Sequence, residues 1–264
     1  MEAMSTVGNA RLAEVVPDVL SALHEVLERH QVTEQEWMAA LAFLGEVGRA
    51  DEFVLLSDVT RTSVLIDMLS HAGEESGATA SDVEGPLYSE DPPVREGNPA
   101  KIYEDYEGMG DGDVLLVSGR VTSAGGGEPL AEAIVDVWQT GPDGGYDIWD
   151  PRQPAGNFRG KVHTGEDGSY AFQTMLPKPY TVPTDGPVGR YLEAVGQHPW
   201  RPAHIHFKVT APGHRTLVTQ VFFPDDPYLE NDTIGAVKPA LVRPVERRGE
   251  HLGCDFDIAL APAG

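Results

Sequence analysis

The chain has 264 residues, enough for one large domain or a domain with an accessory piece, and it can bury a real core. Nineteen Lys and Arg against 42 Asp and Glu give a net charge of −23, which repels phosphate and excludes nucleic acid as a natural partner. The one cysteine, Cys254, excludes an intrachain disulfide and fits a reducing, cytoplasmic setting.

The first 16 residues lack a basic segment followed by an apolar one, so no secretory signal is expected. No apolar run approaches the roughly 20 residues that span a bilayer, and a membrane protein is not expected. "RLAEVVPDVLSALHEVLERH" spaces its valines and leucines on one helical stripe, with Pro17 expected in a first turn or at a bend. "TEQEWMAALAFLGEVG" opens with a capping box, Thr33 followed by Glu36. "DEFVLLSDVTRTSVLIDMLSH" reads as a third, strongly apolar helix, after which "AGEESGATASD" breaks the pattern.

Beyond Asp82 the pattern changes. Short β-branched runs stand between turn signals: "DVLLVSGRVTS", "AIVDVWQT", "GSYAFQTML", "AHIHFKVTA", "TLVTQVFF" and "CDFDIAL". The fold expected is mainly β: an N-terminal α-helical domain over 1–80 and a β-sandwich over 81–264. Cys254 falls in the last of these strands as a small core residue.

His204 and His206 stand at i and i+2 in a strand, so alternation points both imidazoles to one face. Spacing alone leaves two readings open, a metal site or two incidental histidines on a half-exposed strand. No cysteine cluster exists for thiolate zinc or iron–sulfur, and no carboxylate lies between His206 and His214. Two tyrosines stand out instead, Tyr146 in "DGGYDIWD" and Tyr180 in "LPKPYTVPTDGP". Loop tyrosines beside prolines commonly serve surface packing; as phenolates, joined to two imidazoles, they would suit ferric iron.

"GPDGGYDIWD", "LPKPYTVPTDGP", "RPAHIHFKV" and "TLVTQVFFPDDPY", in this order and spacing, resemble the intradiol ring-cleavage dioxygenases across essentially the whole chain. The resemblance implies a non-haem Fe(III) cofactor held by Tyr146 and His204 as equatorial ligands and by Tyr180 and His206 as axial ones. It implies a catecholic substrate and O2, with cleavage between the hydroxylated carbons to a muconate-type diacid. Arg201 matches an arginine beside the substrate ring, where its fixed charge would stabilise negative charge on carbon. Its other reading is a strand-edge surface ion pair. Gln220 matches a glutamine near the iron, or else satisfies sheet backbone groups. His163, His198 and His214 lack such matches and read as surface or structural.

The resemblance also places a substrate pocket. Leu55 and Asp58 come from the third helix, and Val83, Gly85, Pro86 and Leu87 from the "EGPLY" segment. Val182 and Pro183 follow the axial tyrosine, and Ile234 closes one side. "LLSDV" with "DDPYLENDTIGAVKPALV" looks most like hydroxyquinol 1,2-dioxygenases, whereas "EGPLY" looks more like catechol 1,2-dioxygenases. Asp58 reads either as a substrate contact or as a solvated helix residue. A homodimer through the helical domain, with a phospholipid-like chain in its seam, is a further implication. Part of the chain, "VSGRVTSAGGGEPLAEAIVDVW", also resembles transthyretin-like modules, which would make it a non-catalytic binding protein.

Overall fold

A computed structural model describes residues 9–73 and 77–263. Residues 74–76 of the expected helix–strand linker lie outside the described residues. The chain forms two compact units, 1–50 and 51–264. The first carries α1 (Asn9–His30) and α2 (Glu34–Arg49). Pro17 lies well inside α1 and not in its first turn. The capping box of α2 forms as read: the Thr33 backbone donates to Glu36 at 2.8 Å, and the Glu36 backbone donates to the Thr33 hydroxyl at 3.3 Å.

The expected third helix is two helices, α3 (Phe53–Val59) and α4 (Thr62–Ser70), both in the second unit. Arg61 adopts φ 61°, in the left-handed region, and its N–H closes a turn on Asp58 O at 2.8 Å. The Thr60 hydroxyl donates to Leu56 O at 2.8 Å, so a terminal carbonyl is satisfied where the helix stops. Apolar spacing continues through this break, which is why periodicity alone reads one helix.

The second unit then runs β1 (Ala100–Lys101), β2 (Val114–Ser123), β3 (Ile134–Gln139), β4 (Arg159–His163), β5 (Ser169–Met175) and β6 (Tyr180–Thr181). After α5 (Pro187–Val195) come β7 (Trp200–Arg201), β8 (His204–Thr210), β9 (Leu217–Phe222), β10 (Glu246–Arg248), β11 (His251–Asp255) and β12 (Ile258–Leu260). One sheet has the order β1-β5-β2-β11-β10, with β12 pairing the far end of β2. The other is antiparallel, in the order β4-β3-β8-β9, and β6 and β7 form a short separate ladder. Among the described residues helix and strand take near-equal shares, 26% and 25%, so the mainly-β expectation is met only in part. The difference comes from α5 and the four N-terminal helices, whose combined length offsets strands that are mostly short.

Alternation along β8 decides what each face does. Phe207 points to the other sheet, with its ring 6.0 Å from Phe172 of β5 and 5.1 Å from Phe256. Ile205 and Val209 share that apolar face. His204 and His206 take the opposite face, together with Trp138 on β3 and Gln220 on β9, the register partners of His206, and Phe222, the partner of His204. That outer face would meet water in a plain two-sheet fold. Here both histidines are 2% exposed, because chain segments outside the sheets cover it. Cys254 is a buried, free core thiol. No helix among the described residues is long and apolar enough to cross a membrane.

Candidate metal centre and substrate cleft

His204 and His206 bring their Nε2 atoms within 3.0 Å of each other. The Nδ1 of His204 lies 2.7 Å from the carbonyl of Pro202. A carbonyl only accepts, so Nδ1 carries the proton and Nε2 keeps its lone pair, the tautomer a metal ligand needs. Arg201 Nη1 donates to that same Nε2 at 3.1 Å. Tyr180 enters from β6, where it is the cross-strand partner of Arg201 on β7. Its ring centroid lies 5.6 Å from His204 and 5.4 Å from Tyr146, which meets it edge-on. Tyr146, on the loop after β3, is 1% exposed, and its hydroxyl has no hydrogen-bonding partner among the described residues.

These four side chains form a buried donor set at one end of the second sheet. Burial pushes both phenols above the ordinary phenol range, Tyr146 the further, with the neighbouring Tyr180 adding to its shift. Burial also holds both imidazoles well below the usual histidine range; Arg201 reinforces this for His204, and His204 does so for His206. Phenols of this kind ionise only for a strong local positive charge. Among the described residues no cluster of three His, Cys, Asp or Glu could hold a metal, so a centre here depends on the phenols. Two neutral imidazoles, one unsatisfied buried phenol and a second phenol beside it fit a hard ferric ion.

Arg201 is 3% exposed and carries more contacts than the sequence suggested. Its Nε donates to Asp232 Oδ1 at 3.2 Å, and its Nη2 donates to Gln220 Oε1 at 3.1 Å. Burial works against the guanidinium charge, but Asp232, with Tyr180 and Asp82 adding to it, outweighs that and holds Arg201 protonated. Gln220 in turn donates from Nε2 to Val83 O at 2.9 Å, tying β9 to the "EGPLY" segment.

A cleft of about 360 Å³ opens onto Tyr180, Arg201 and His206. Its walls include Leu55, Asp58, Gly85, Pro86, Leu87, Val182, Pro183 and Ile234. Val83 stands apart, lining an adjoining outer cleft that shares Asp58, Glu84, Gly85 and Pro86. Its carbonyl accepts from Gln220 Nε2 at 2.9 Å. Gly85 has φ +72°, in the left-handed region that favours glycine, and lies beside the His206 ring. Asp58 is 4% exposed, which removes the solvated-helix reading. Burial raises its carboxyl pKa, against the opposing pull of Ser63 and Arg201.

Several residues at the site escaped sequence reasoning. Asp232 sits in "ENDTIG", which reads as a polar turn. Arg159 is 1% exposed, donates from Nη1 to Leu87 O at 2.7 Å and lies 5.8 Å from the Tyr146 ring centroid. Trp149 borders the cleft, and Trp138 reads as ordinary strand core. His163 is exposed, and His214 meets Ser123 Oγ at 3.0 Å, so each has a place outside this site. His198 accepts from the Trp200 N–H at 3.1 Å.

Two family models match the chain, "Catechol dioxygenase N terminus" over residues 9–78 and "Dioxygenase" over residues 83–262. A hydroxyquinol 1,2-dioxygenase of Rhizobium sp. (strain MTP-10005) is 41% identical over 95% of this chain and 89% of its own length. A chlorocatechol 1,2-dioxygenase of Rhodococcus opacus is 35% identical over 90% of this chain and 91% of its own. The solved hydroxyquinol 1,2-dioxygenase from Pseudomonas putida DLL-E4 superposes with a TM-score of 0.87 at 36% identity, covering 99% of this chain and 96% of that one. These relatives are ring-cleaving enzymes along nearly their whole lengths, and the non-catalytic transthyretin-like alternative falls away.

Proposed function

The chain belongs to the intradiol ring-cleavage dioxygenases, and on that premise we propose that its substrate is hydroxyquinol, opened by O2 to 3-hydroxy-cis,cis-muconate (maleylacetate). The observation that carries the choice of diol is the Asp58 carboxyl, buried in a cleft wall otherwise largely apolar. Benzene-1,2,4-triol differs from catechol by one hydroxyl, and a buried acceptor is what distinguishes the two. In this reading the two sheets form the β-sandwich of a catalytic domain. The matched segments, 9–78 and 83–262, support a functional division near residue 80.

Tyr146, Tyr180, His204 and His206 would hold Fe(III). When bound, the ion supplies a site for both diol oxygens and draws electron density from the ring toward reaction with O2. The chain's own groups do the rest. Tyr180 Oη takes a proton from a diol hydroxyl, acting as a displaceable base. Arg201 sets a fixed positive charge beside the ring carbon under attack, and Asp232 and Gln220 hold that guanidinium in place. Leu55, Leu87, Val182, Pro183 and Ile234 orient the ring and exclude water. The helices α1 and α2 serve as a homodimer contact with an amphiphile in its seam; Val16, Val19 and Leu20 are 45%, 59% and 45% exposed in the single chain. Light scattering at micromolar concentration checks this, and a monomer would count against it.

Oxygen uptake with hydroxyquinol, catechol and a chlorocatechol tests the function directly. The iron-loaded protein should be coloured by tyrosinate-to-iron charge transfer and fastest on hydroxyquinol. A colourless, inactive protein after iron loading defeats the whole reading. Faster turnover of catechol defeats only the choice of diol.

A further inference from the structure

The two histidines of the centre are held in different ways. His204 has a hydrogen bond on its rear nitrogen, from Nδ1 to Pro202 O at 2.7 Å. A metal-ligating imidazole ordinarily has such a partner, which fixes both its tautomer and its plane. Among the described residues His206 lacks one: its Nδ1 is buried with no hydrogen-bonding partner. A singly bonded imidazole could rotate about its side-chain torsions and swing Nε2 off target. Something else must hold the ring.

That something is the face of Trp138. The two residues are direct cross-strand partners, Trp138 on β3 and His206 on β8. Their rings stack with centroids 4.6 Å apart and planes inclined by only 5°. Trp138 is 1% exposed, and its own indole N–H also lacks a partner, so no hydrogen bond accounts for its orientation. Tyr88 packs against the indole at a tilt, with centroids 5.0 Å apart and planes inclined by 58°. Tyr88 is fixed by its hydroxyl, which donates to Asp136 at 3.2 Å, and by the Lys208 ammonium 4.0 Å above its ring. Lys208 also meets Glu84 at 2.7 Å, next to Gly85, which lies beside the His206 ring.

We propose that Trp138 is the positioning residue for His206, replacing the absent hydrogen bond with a π-stacked face and thereby retaining the metal. The inference rests on the four-ligand reading above. Its physical basis is that an imidazole bonded to a cation becomes electron-poor, and the electron-rich indole face then attracts it more strongly. Tyr88 braces the indole in turn.

The test compares native protein, Trp138→Phe and Trp138→Leu, each loaded with iron and then mixed with excess ferric chelator. The phenylalanine keeps an aromatic face and should release iron within about twofold of the native rate. The leucine removes the face and should release it roughly three- to tenfold faster, with a displaced visible charge-transfer band. Melting of the iron-free forms separates this effect from folding. If the leucine variant does not fold, Tyr88→Leu takes its place, with a smaller acceleration expected. Native-like release from the leucine variant, or from Tyr88→Leu in its place, overturns the inference, as does equal acceleration in Phe and Leu variants. Native protein that takes up no iron at all overturns the ligand reading itself, a different and distinguishable result.

Discussion

Asp232 grips Arg201 along one edge of the guanidinium, accepting from Nε at 3.2 Å and from Nη2 at 3.4 Å, with both residues 3% exposed. The same carboxylate accepts from the backbone N–H of Ala236 at 3.0 Å, so the loop carrying Ile234 and the arginine share one anchor. Removing one partner of a buried pair leaves an uncompensated charge, which costs about 3–5 kcal/mol. Asp232→Ala should lose stability of that order in urea unfolding and lose most ring-cleaving activity. Asp232→Asn keeps an acceptor and should lose less of both. An unchanged unfolding midpoint for Asp232→Ala would show that the pair contributes nothing.

The two tyrosines should fail differently when cut back to phenylalanine. Tyr180→Phe leaves three ligands, Tyr146 among them, and removes the displaceable base, so some iron should stay bound with a weaker, shifted visible band while most turnover disappears. Tyr146→Phe removes a ligand that is buried with no other partner, so iron retention itself should fall. Metal content after gel filtration, read beside the visible spectrum, checks both. Native turnover in both variants would refute the ligand assignment.

The parts of this site legible in the sequence were those whose residue type is rare in its setting. A histidine pair on one strand face and proline-flanked loop tyrosines are such cases, and the structure brings all four together. Asp232, Arg159 and Trp138 were not legible, because an acid in a polar turn, an arginine opening a strand and a tryptophan inside one are ordinary. Their importance comes from burial and from partners distant in sequence: 31 residues separate Asp232 from Arg201, and 72 separate Arg159 from Leu87. The break between α3 and α4 was hidden for a related reason. Apolar spacing reports which face is buried, whereas the break at Arg61 is set by backbone φ and a threonine hydroxyl.

Asp82 gives a pH dependence whose sign can be worked out. It is 3% exposed; one oxygen accepts from the Val83 N–H at 2.8 Å and the other has no partner. Burial, only partly offset by that bond and by Lys238, pushes its carboxyl up from 3.8 to about 7. A group whose pKa rises on folding contributes stability below its unfolded pKa and loses it as pH climbs through the folded value. The native protein should therefore lose stability between about pH 4 and pH 7 as this carboxyl ionises. Asp82→Asn should match the native protein at pH 4 and exceed it at pH 8 by on the order of 2–4 kcal/mol. Thermal melts of the iron-free protein at the two pH values measure this. A constant difference between the proteins would exclude Asp82 as its source.

Asp58 decides the diol. It sits on α3 three residues after Leu55, so the two share a helix face, and both line the cleft. An apolar wall barely senses one added hydroxyl, whereas a buried carboxyl can accept it in a charge-assisted hydrogen bond. When catechol binds instead, that acceptor is closed off from water with nothing to bond. The penalty is roughly 1–3 kcal/mol, enough for about a tenfold preference. Asp58→Leu should therefore lower kcat/KM for hydroxyquinol by about tenfold or more while leaving catechol unchanged or improved. Equal losses on both diols would give Asp58 a structural role, in keeping with its placement beside Ser63. No loss on either would leave the "EGPLY" segment as the better guide, and catechol as the substrate.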